Sequence, residues 1–146
     1  MSAVSKPKSK ALTPNPKDLF GAVKVSLSKL PAVAVAHAAH AMMDGAEKYG
    51  AYNWRDKAVI ASIYVDAAKR HIDNWNEGQR AAKDSEVHHL GHAIACLAII
   101  LDAEANVSLI DDRPAGNEVA DRVFDEIGAI LVARAARKAA AGKRRK

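Results

Sequence analysis

Apolar residues recur at helical spacing through this chain, and no segment alternates in the manner of a strand. Val35, Ala39, Met42 and Ala46 share one face of a segment running from Ala32 to Lys48, which Gly50 ends. A second helix is predicted over Ala58–Glu77, stopped by Gly78, and a third over Ser85–Ala105 with Asp84 or Ser85 as its N-cap. A fourth is expected from Asn117, as N-cap, to Ala141, with Val119, Val123, Ile127, Ile130 and Leu131 as its apolar stripe. Residues 17–31 read as an irregular lead-in closed by Pro31, Tyr49–Lys57 as an ordered loop, and Ile110–Pro114 as a turn. The expected architecture is all-α, a small antiparallel helical bundle.

A chain of 146 residues corresponds to one domain. Alanine supplies much of the 49% apolar content, so helices can approach closely but a lone subunit has a thin core. Burying the remaining apolar surface favours a second copy, and a homo-oligomer, dimer or tetramer, is expected. The charge is unevenly placed. Residues 1–30 sum to +5 and residues 134–146 to +7, which leaves −7 on residues 31–133. An acidic body suits divalent cations better than nucleic acid, so contact with nucleic acid is expected only weakly, through the basic ends. Residues 1–16 read as a disordered basic arm, 17–114 as the folded domain, 115–141 as the C-terminal helix and 142–146 as a basic tail. The single Cys96 excludes an intrachain disulfide. No apolar run reaches the roughly 18 residues of a membrane span. The Lys/Ser/Pro-rich start lacks the apolar stretch of a signal peptide, so a cytoplasmic location without membrane contact is expected.

The central third holds the chemistry. Aromatics are only 5% of the chain, yet Trp54, Trp75, His71, His88, His89 and His92 all fall there. Asp66, Arg70, Asp73 and Glu77 occupy one sector of the second predicted helix, and Ile60, Tyr64, His71 and Trp75 the opposite one. His71 then points with the buried residues, either as a core histidine with a hydrogen-bonded neighbour or as a ligand. His89 and His92, at i and i+3, reach one patch beside Ser85, Ala93, Cys96 and Ile100, whereas His88 points elsewhere, toward the surface. Two imidazoles on an apolar face need partners or a metal. On the first predicted helix His37, His40, Asp44 and Glu47 read as a solvated stripe, and Lys48 borders the aromatic loop. That loop joins Lys48, Asn53 and Arg55 to Tyr49, Tyr52 and Trp54. Cations neutralise phosphate, aromatic rings stack on bases and an amide reads a base edge or a sugar, so this is the composition of a nucleotide pocket. The alternative is a loop pinned by its own aromatics. Asp111, Asp112 and Arg113 make a second charged turn, either helix-flanking or part of a lid. No phosphate-binding glycine loop and no CxxC is present.

Asn15-Pro16-Lys17-Asp18, Lys48-Tyr49-Gly50 with Tyr52-Asn53-Trp54-Arg55, Ala61-Ser62-Ile63-Tyr64 with Asp66-Ala67-Ala68 and Arg70-His71, His89-Leu90-Gly91-His92-Ala93, and Asp111-Asp112-Arg113-Pro114 together resemble a phage and prophage family. It is the dATP/dGTP diphosphohydrolase-like family of the MazZ type, and the resemblance spans residues 15–114. It implies a relative of the all-α MazG-like nucleoside triphosphate pyrophosphohydrolases, which release a nucleoside monophosphate and pyrophosphate. Relatives hold magnesium with ExxE on one helix and ExxD on the next. This chain departs from that pattern, with Asp66 and Arg70 in place of ExxE and His89-x-x-His92 in place of ExxD. Either the ligands have changed toward manganese or another softer ion, or the metal site has moved or been lost.

The reading that follows is a metal-dependent (deoxy)purine nucleoside triphosphate diphosphohydrolase, with Mg²⁺ or Mn²⁺ as cofactor and a nucleoside triphosphate as substrate. Asp66, His71, Asp84, His89 and His92 are the metal candidates, and Asp66, His89 and His92 the catalytic ones. Lys48, Arg55 and Arg70 would clamp phosphates, while Tyr49, Asn53 and Trp54 would hold the base or sugar. Asp66 and His71 diverge by about 140° on one helix, so both cannot serve one ion on a straight helix within one subunit. The alternative is a non-catalytic nucleotide-binding module that keeps the aromatic loop and has a degraded metal site.

Overall fold

The computed structural model describes residues 15–116 and 118–143. Its elements follow in the order α1 (Pro16–Gly21), α2 (Ala32–Tyr49), α3 (Asn53–Asp56), β1 (Val59–Ile60), α4 (Ala61–Asn76), α5 (His89–Ala105), β2 (Leu109–Ile110) and α6 (Val119–Lys143), with a 3₁₀ turn at Leu27–Lys29. The fold is all-α, as the helical spacing predicts. No described helix is long and apolar enough to cross a membrane. Residues 1–14 of the expected arm, the Asn117 cap and residues 144–146 of the basic tail lie outside the described residues, while Asn15 and Pro16, expected in that arm, instead cap and begin α1.

α2 matches its prediction to within a residue. Its alanines favour helix, and Gly50 ends it at φ +93° while donating its N–H to the Ala46 carbonyl. Several boundaries differ for local reasons. The lead-in is not wholly irregular. Asn15 Oδ1 accepts from the Lys17 N–H at 3.0 Å and Pro16 stands in the first turn, which together start α1. The aromatic loop contains the short helix α3, entered through Tyr52 in the left-handed region at φ +57°.

α4 begins at Ala61 rather than Ala58. Val59 and Ile60 instead pair in parallel with Leu109 and Ile110, a two-strand sheet that helical spacing gave no reason to expect. The Val59 N–H donates to Ser108 O at 2.9 Å, so tertiary pairing wins over local propensity. The pairing sets the start of α4 beside the end of α5, and with His71 meeting His89 at the other end the two packed helices run antiparallel.

α5 begins at His89, not Ser85, and neither Asp84 nor Ser85 is its cap. His88 caps it, its Nδ1 accepting from the Leu90 N–H at 3.1 Å. The preceding residues are held in a tight turn. The Ala82 N–H donates to Val87 O, the Glu86 N–H to Ala82 O and the His89 N–H to Arg80 O. Glu86 sits at φ +57°, a conformation no right-handed helix can continue through.

α4 packs on α5 most extensively and α2 packs on α5 next. The core is thin. One cluster is Ala41, Val87 and Ala95; the other is Trp54, Val59 and Ala103 with Tyr64, Ile99 and Leu109 packed against it, and Met42 touches both. Val59 and Val87 are the largest fully buried side chains, and each contributes about 1.5–3 kcal/mol. Where α2 crosses α5, a Cβ on Gly91 would stand 2.5 Å from the His37 carbonyl oxygen, so only glycine permits this approach. Ile63 and Ile72 on α4 and Leu97 and Leu101 on α5 remain exposed. α6 is exposed along nearly its whole length and forms no extensive contact with another element.

Candidate functional site

α2, α3, α4, α5 and the turn before α5 line an open-mouthed cavity of about 460 Å³. α2 supplies Asp44, Lys48 and Tyr49; α3 supplies Asn53 and Trp54; α4 supplies Tyr64 and His71; the turn supplies Asp84; and α5 supplies His92 and Cys96. Ala41, Met42, Ala95 and Ile99 complete an apolar wall. One lysine and two carboxylates form its charged part. Lys48 Nζ lies 2.9 Å from Asp44 and 3.7 Å from Asp84. The Asp44 contact raises the Lys48 ammonium above its ordinary value. Backbone N–H groups at the turn hold Asp84 below the usual carboxylate range, and Lys48 adds to this.

The second part is a group of three imidazoles. His71 Nδ1 and His89 Nδ1 are 2.9 Å apart, and the His92 ring stacks on His71 with centroids 4.5 Å apart. Ser85 Oγ meets His92 Nε2 at 3.0 Å. Burial first, then the neighbouring imidazoles, lowers His71 to about 4. Burial also lowers His92 and raises the Tyr64 hydroxyl and the Cys96 thiol. His89 is only 3% exposed, lies behind His71, and its Nε2 has no hydrogen-bond partner.

Of the residues singled out by sequence, Lys48, Tyr49, Asn53, Trp54, His71, Asp84 and His92 line this cavity. Asp66 does not, because it sits on the solvent side of α4. Arg70 is also exposed and outside the lining, although its charge depresses His71 and Cys96. Arg55 is engaged elsewhere. Its Nε and Nη2 each donate to Asp102 at 2.8 Å, and the Trp54 Nε1–H donates to the same carboxylate at 2.7 Å. These bonds, led by Arg55, hold Asp102 down at about 2. The aromatic loop is thus pinned by its own residues, as one reading had it, and also lines the cavity. Trp54 and Arg55 pin it to α5, while Tyr49, Asn53 and part of the otherwise buried Trp54 line the cavity.

Other placements correct the sequence reading. Asp44 belongs to the cavity, not to a solvated stripe; its i, i+4 spacing to Lys48 was the available signal. His37 is half-buried and its ring meets that of His88 at 4.6 Å, so His88 is not a plain surface residue. Tyr64 and Cys96 also line the site, brought there by helix packing rather than by any motif. The charged turn proves helix-flanking. Asp112 accepts from both the Ser62 N–H and its hydroxyl, capping α4, and Asp111 pairs with Arg113. Those bonds depress both carboxylates, Asp111 to about 2.

Among the described residues, no three His, Cys, Asp or Glu side chains converge closely enough to hold a metal ion. The nearest approach is the His71–His89 nitrogen pair, and it is two imidazole nitrogens rather than the oxygen-rich octahedron that magnesium takes. A resident magnesium centre therefore does not fit this single chain as folded.

A family model described as dATP/dGTP diphosphohydrolase, N-terminal, matches residues 14–113. That span contains every residue lining the cavity and ends before α6. No curated protein and no solved structure matches the chain. Over more than two thirds of its length, and with the all-α fold expected of a MazG-like protein, the chain belongs to the dATP/dGTP diphosphohydrolase family.

Proposed function

We propose that the chain hydrolyses a purine deoxynucleoside triphosphate, dATP or dGTP, to the monophosphate and pyrophosphate. Water attacks the α-phosphorus, the bond to the bridging oxygen breaks, and pyrophosphate leaves with the electron pair. One observation carries this reading. A cavity in the size range of small-molecule sites sets a lysine and imidazoles beside aromatic rings and an amide. Lys48 meets the phosphates, with Arg70 at the rim. His92, backed by Ser85 and lowered by burial, offers a polar edge close by. Tyr49, 69% exposed, is free to stack on the base over a cavity wall to which the buried Trp54 contributes, and Asn53 reads its edge or the sugar.

The divalent ion, Mg²⁺ or Mn²⁺, is assigned to the substrate, which arrives as the metal–triphosphate complex. Asp44 and Asp84 are the carboxylates facing that approach. The exposed Ile63, Leu97 and Leu101 support assembly of a homo-oligomer, which sedimentation would read. A cytoplasmic setting and weak, salt-dependent nucleic-acid contact through the basic ends complete the proposal.

The test is pyrophosphate release from four dNTPs and four NTPs, each with Mg²⁺, Mn²⁺ or EDTA, beside Lys48→Ala and the His89→Ala/His92→Ala double variant. Turnover of dGTP or dATP, abolished by EDTA and by either variant, is the expected result. Absence of turnover from all eight defeats it. The second reading, a non-catalytic nucleotide-binding module, is favoured by the lack of a converged donor set among the described residues. Calorimetric binding of dGTP without turnover would select it.

A further inference from the structure

The His71–His89 contact determines more than proximity. With the two Nδ1 atoms 2.9 Å apart, one hydrogen lies between them and one ring must donate it. If His71 donated, neutral His89 would carry its remaining hydrogen on Nε2. That atom is buried without a partner, so an N–H would be stranded there. If His89 donates, its Nε2 is a bare lone pair in the same place. Stranded buried N–H groups are much the rarer of the two in folded proteins. The second arrangement therefore holds. His71 accepts at Nδ1 and keeps its own hydrogen on Nε2. His89 is not part of the cavity lining whereas His71 is, so the ring edge turned away from His89 is the one available to the cavity. No hydrogen bond among the described residues occupies His71 Nε2.

We propose that His89 is a positioning residue that fixes His71 as the tautomer with hydrogen on Nε2, so that His71 serves the cavity as a hydrogen-bond donor to a phosphoryl oxygen. The His92 ring, stacked nearly parallel on His71 at 16°, keeps that imidazole from turning. In this state His71 has no free lone pair, so it neither removes a proton from water nor binds a metal through either nitrogen. Its service to phosphate rests on the triphosphate reading above, but the tautomer itself does not.

The experiment is two-bond ¹H–¹⁵N correlation on the full chain carrying ¹⁵N-histidine, at pH 7.5 with EDTA, with His71→Asn and His89→Phe for assignment. The expected spectrum shows His71 protonated at Nε2 and His89 protonated at Nδ1. Inorganic pyrophosphate should then shift the His71 Nε2 signal, and His71→Phe should bind it about tenfold more weakly, the size of one hydrogen bond to a charged group. In folded His89→Phe the His71 signals should move to a mixture of tautomers, which a loss of packing alone would not produce. His71 protonated at Nδ1 overturns the proposal. So does Mn²⁺ or Zn²⁺ alone, added without EDTA, broadening or shifting both Nδ1 signals, because that makes the pair a metal site. The wild-type spectrum decides the tautomer even if a variant fails to fold. The expected tautomer with no turnover would retire the diphosphohydrolase reading and leave this one standing.

Discussion

The two ends of α5 treat polar side chains in opposite ways. At the C-terminal end Asp102 receives the Trp54 indole and both arms of the Arg55 fork. At the N-terminal end His89 is buried with one nitrogen engaged and the other unpaired. The first arrangement anchors the aromatic loop and leaves little for a ligand to meet. The second keeps His71 and His92 close together at the cavity with polar edges still available. Satisfied networks give rigidity, and incompletely satisfied ones collect where a ligand is expected.

The largest expected effect is at the histidine end. Gly91→Ala should improve helix propensity by about 1 kcal/mol, but its new methyl would meet the His37 carbonyl, a backbone atom that cannot swing aside. With three His37 atoms at 2.5–3.2 Å the overpacking cost belongs at or above the upper end of the usual range, about 3 kcal/mol or more, so a net loss above about 2 kcal/mol is expected in denaturant melts; an unchanged or higher midpoint would show that α2 slides freely on α5. Next is Trp54→Phe, which removes the indole donor and part of a buried ring at the other end. A loss of about 2 kcal/mol is expected, with Arg55 still on Asp102.

Acid should then separate the two ends. His71 is lowered to about 4 from an ordinary value of 6.5, so the unfolded chain takes up that proton first. Its contribution is complete above pH 6.5 and is lost as pH falls from there toward 4. Asp102 is lowered to about 2 from 3.8, so its contribution is complete above pH 4 and is lost as pH falls toward 2. Stability measured against pH should show two declines. His71→Phe should reduce the upper one, which His92 and His88 share, and Asp102→Asn the lower, which Asp111 and Asp112 share. The smallest effect is expected outside both ends. Gly128→Ala has open space around it and should raise α6 helicity by circular dichroism while leaving the bundle's midpoint within about 0.5 kcal/mol.

The three long bundle helices were legible because their periodicity is a local property of the chain. Their edges were not where distant residues decide them. Val59 and Ile60 leave the helix for partners near residue 109, and Glu86 breaks the third helix through a turn closed by Ala82, Val87 and Arg80. The same division holds at the site. Lys48, Tyr49, Asn53 and the histidines stand out as residue types, and their convergence follows from helix spacing. That Arg55 is committed to Asp102, 47 positions away, depends on how α3 docks on α5, which composition does not encode, whereas the solvent side of Asp66 already followed from its place opposite His71 on the helical wheel.

The parallel pairing of Val59 with Leu109 has a consequence for the order in which the chain can fold. It and the Ser62–Asp112 contact join positions about 50 residues apart. Closing such a loop from a free coil costs roughly 3–4 kcal/mol in chain entropy alone, more than two strand residues and a capping carboxylate readily recover. Docking α4 against α5 brings the same ends together beforehand, so the clasp forms only on an assembled hairpin. The Val59 amide is thereby a reporter for the whole of that hairpin: its hydrogen exchange should follow the opening of α4 from α5, while amides of α6 exchange independently.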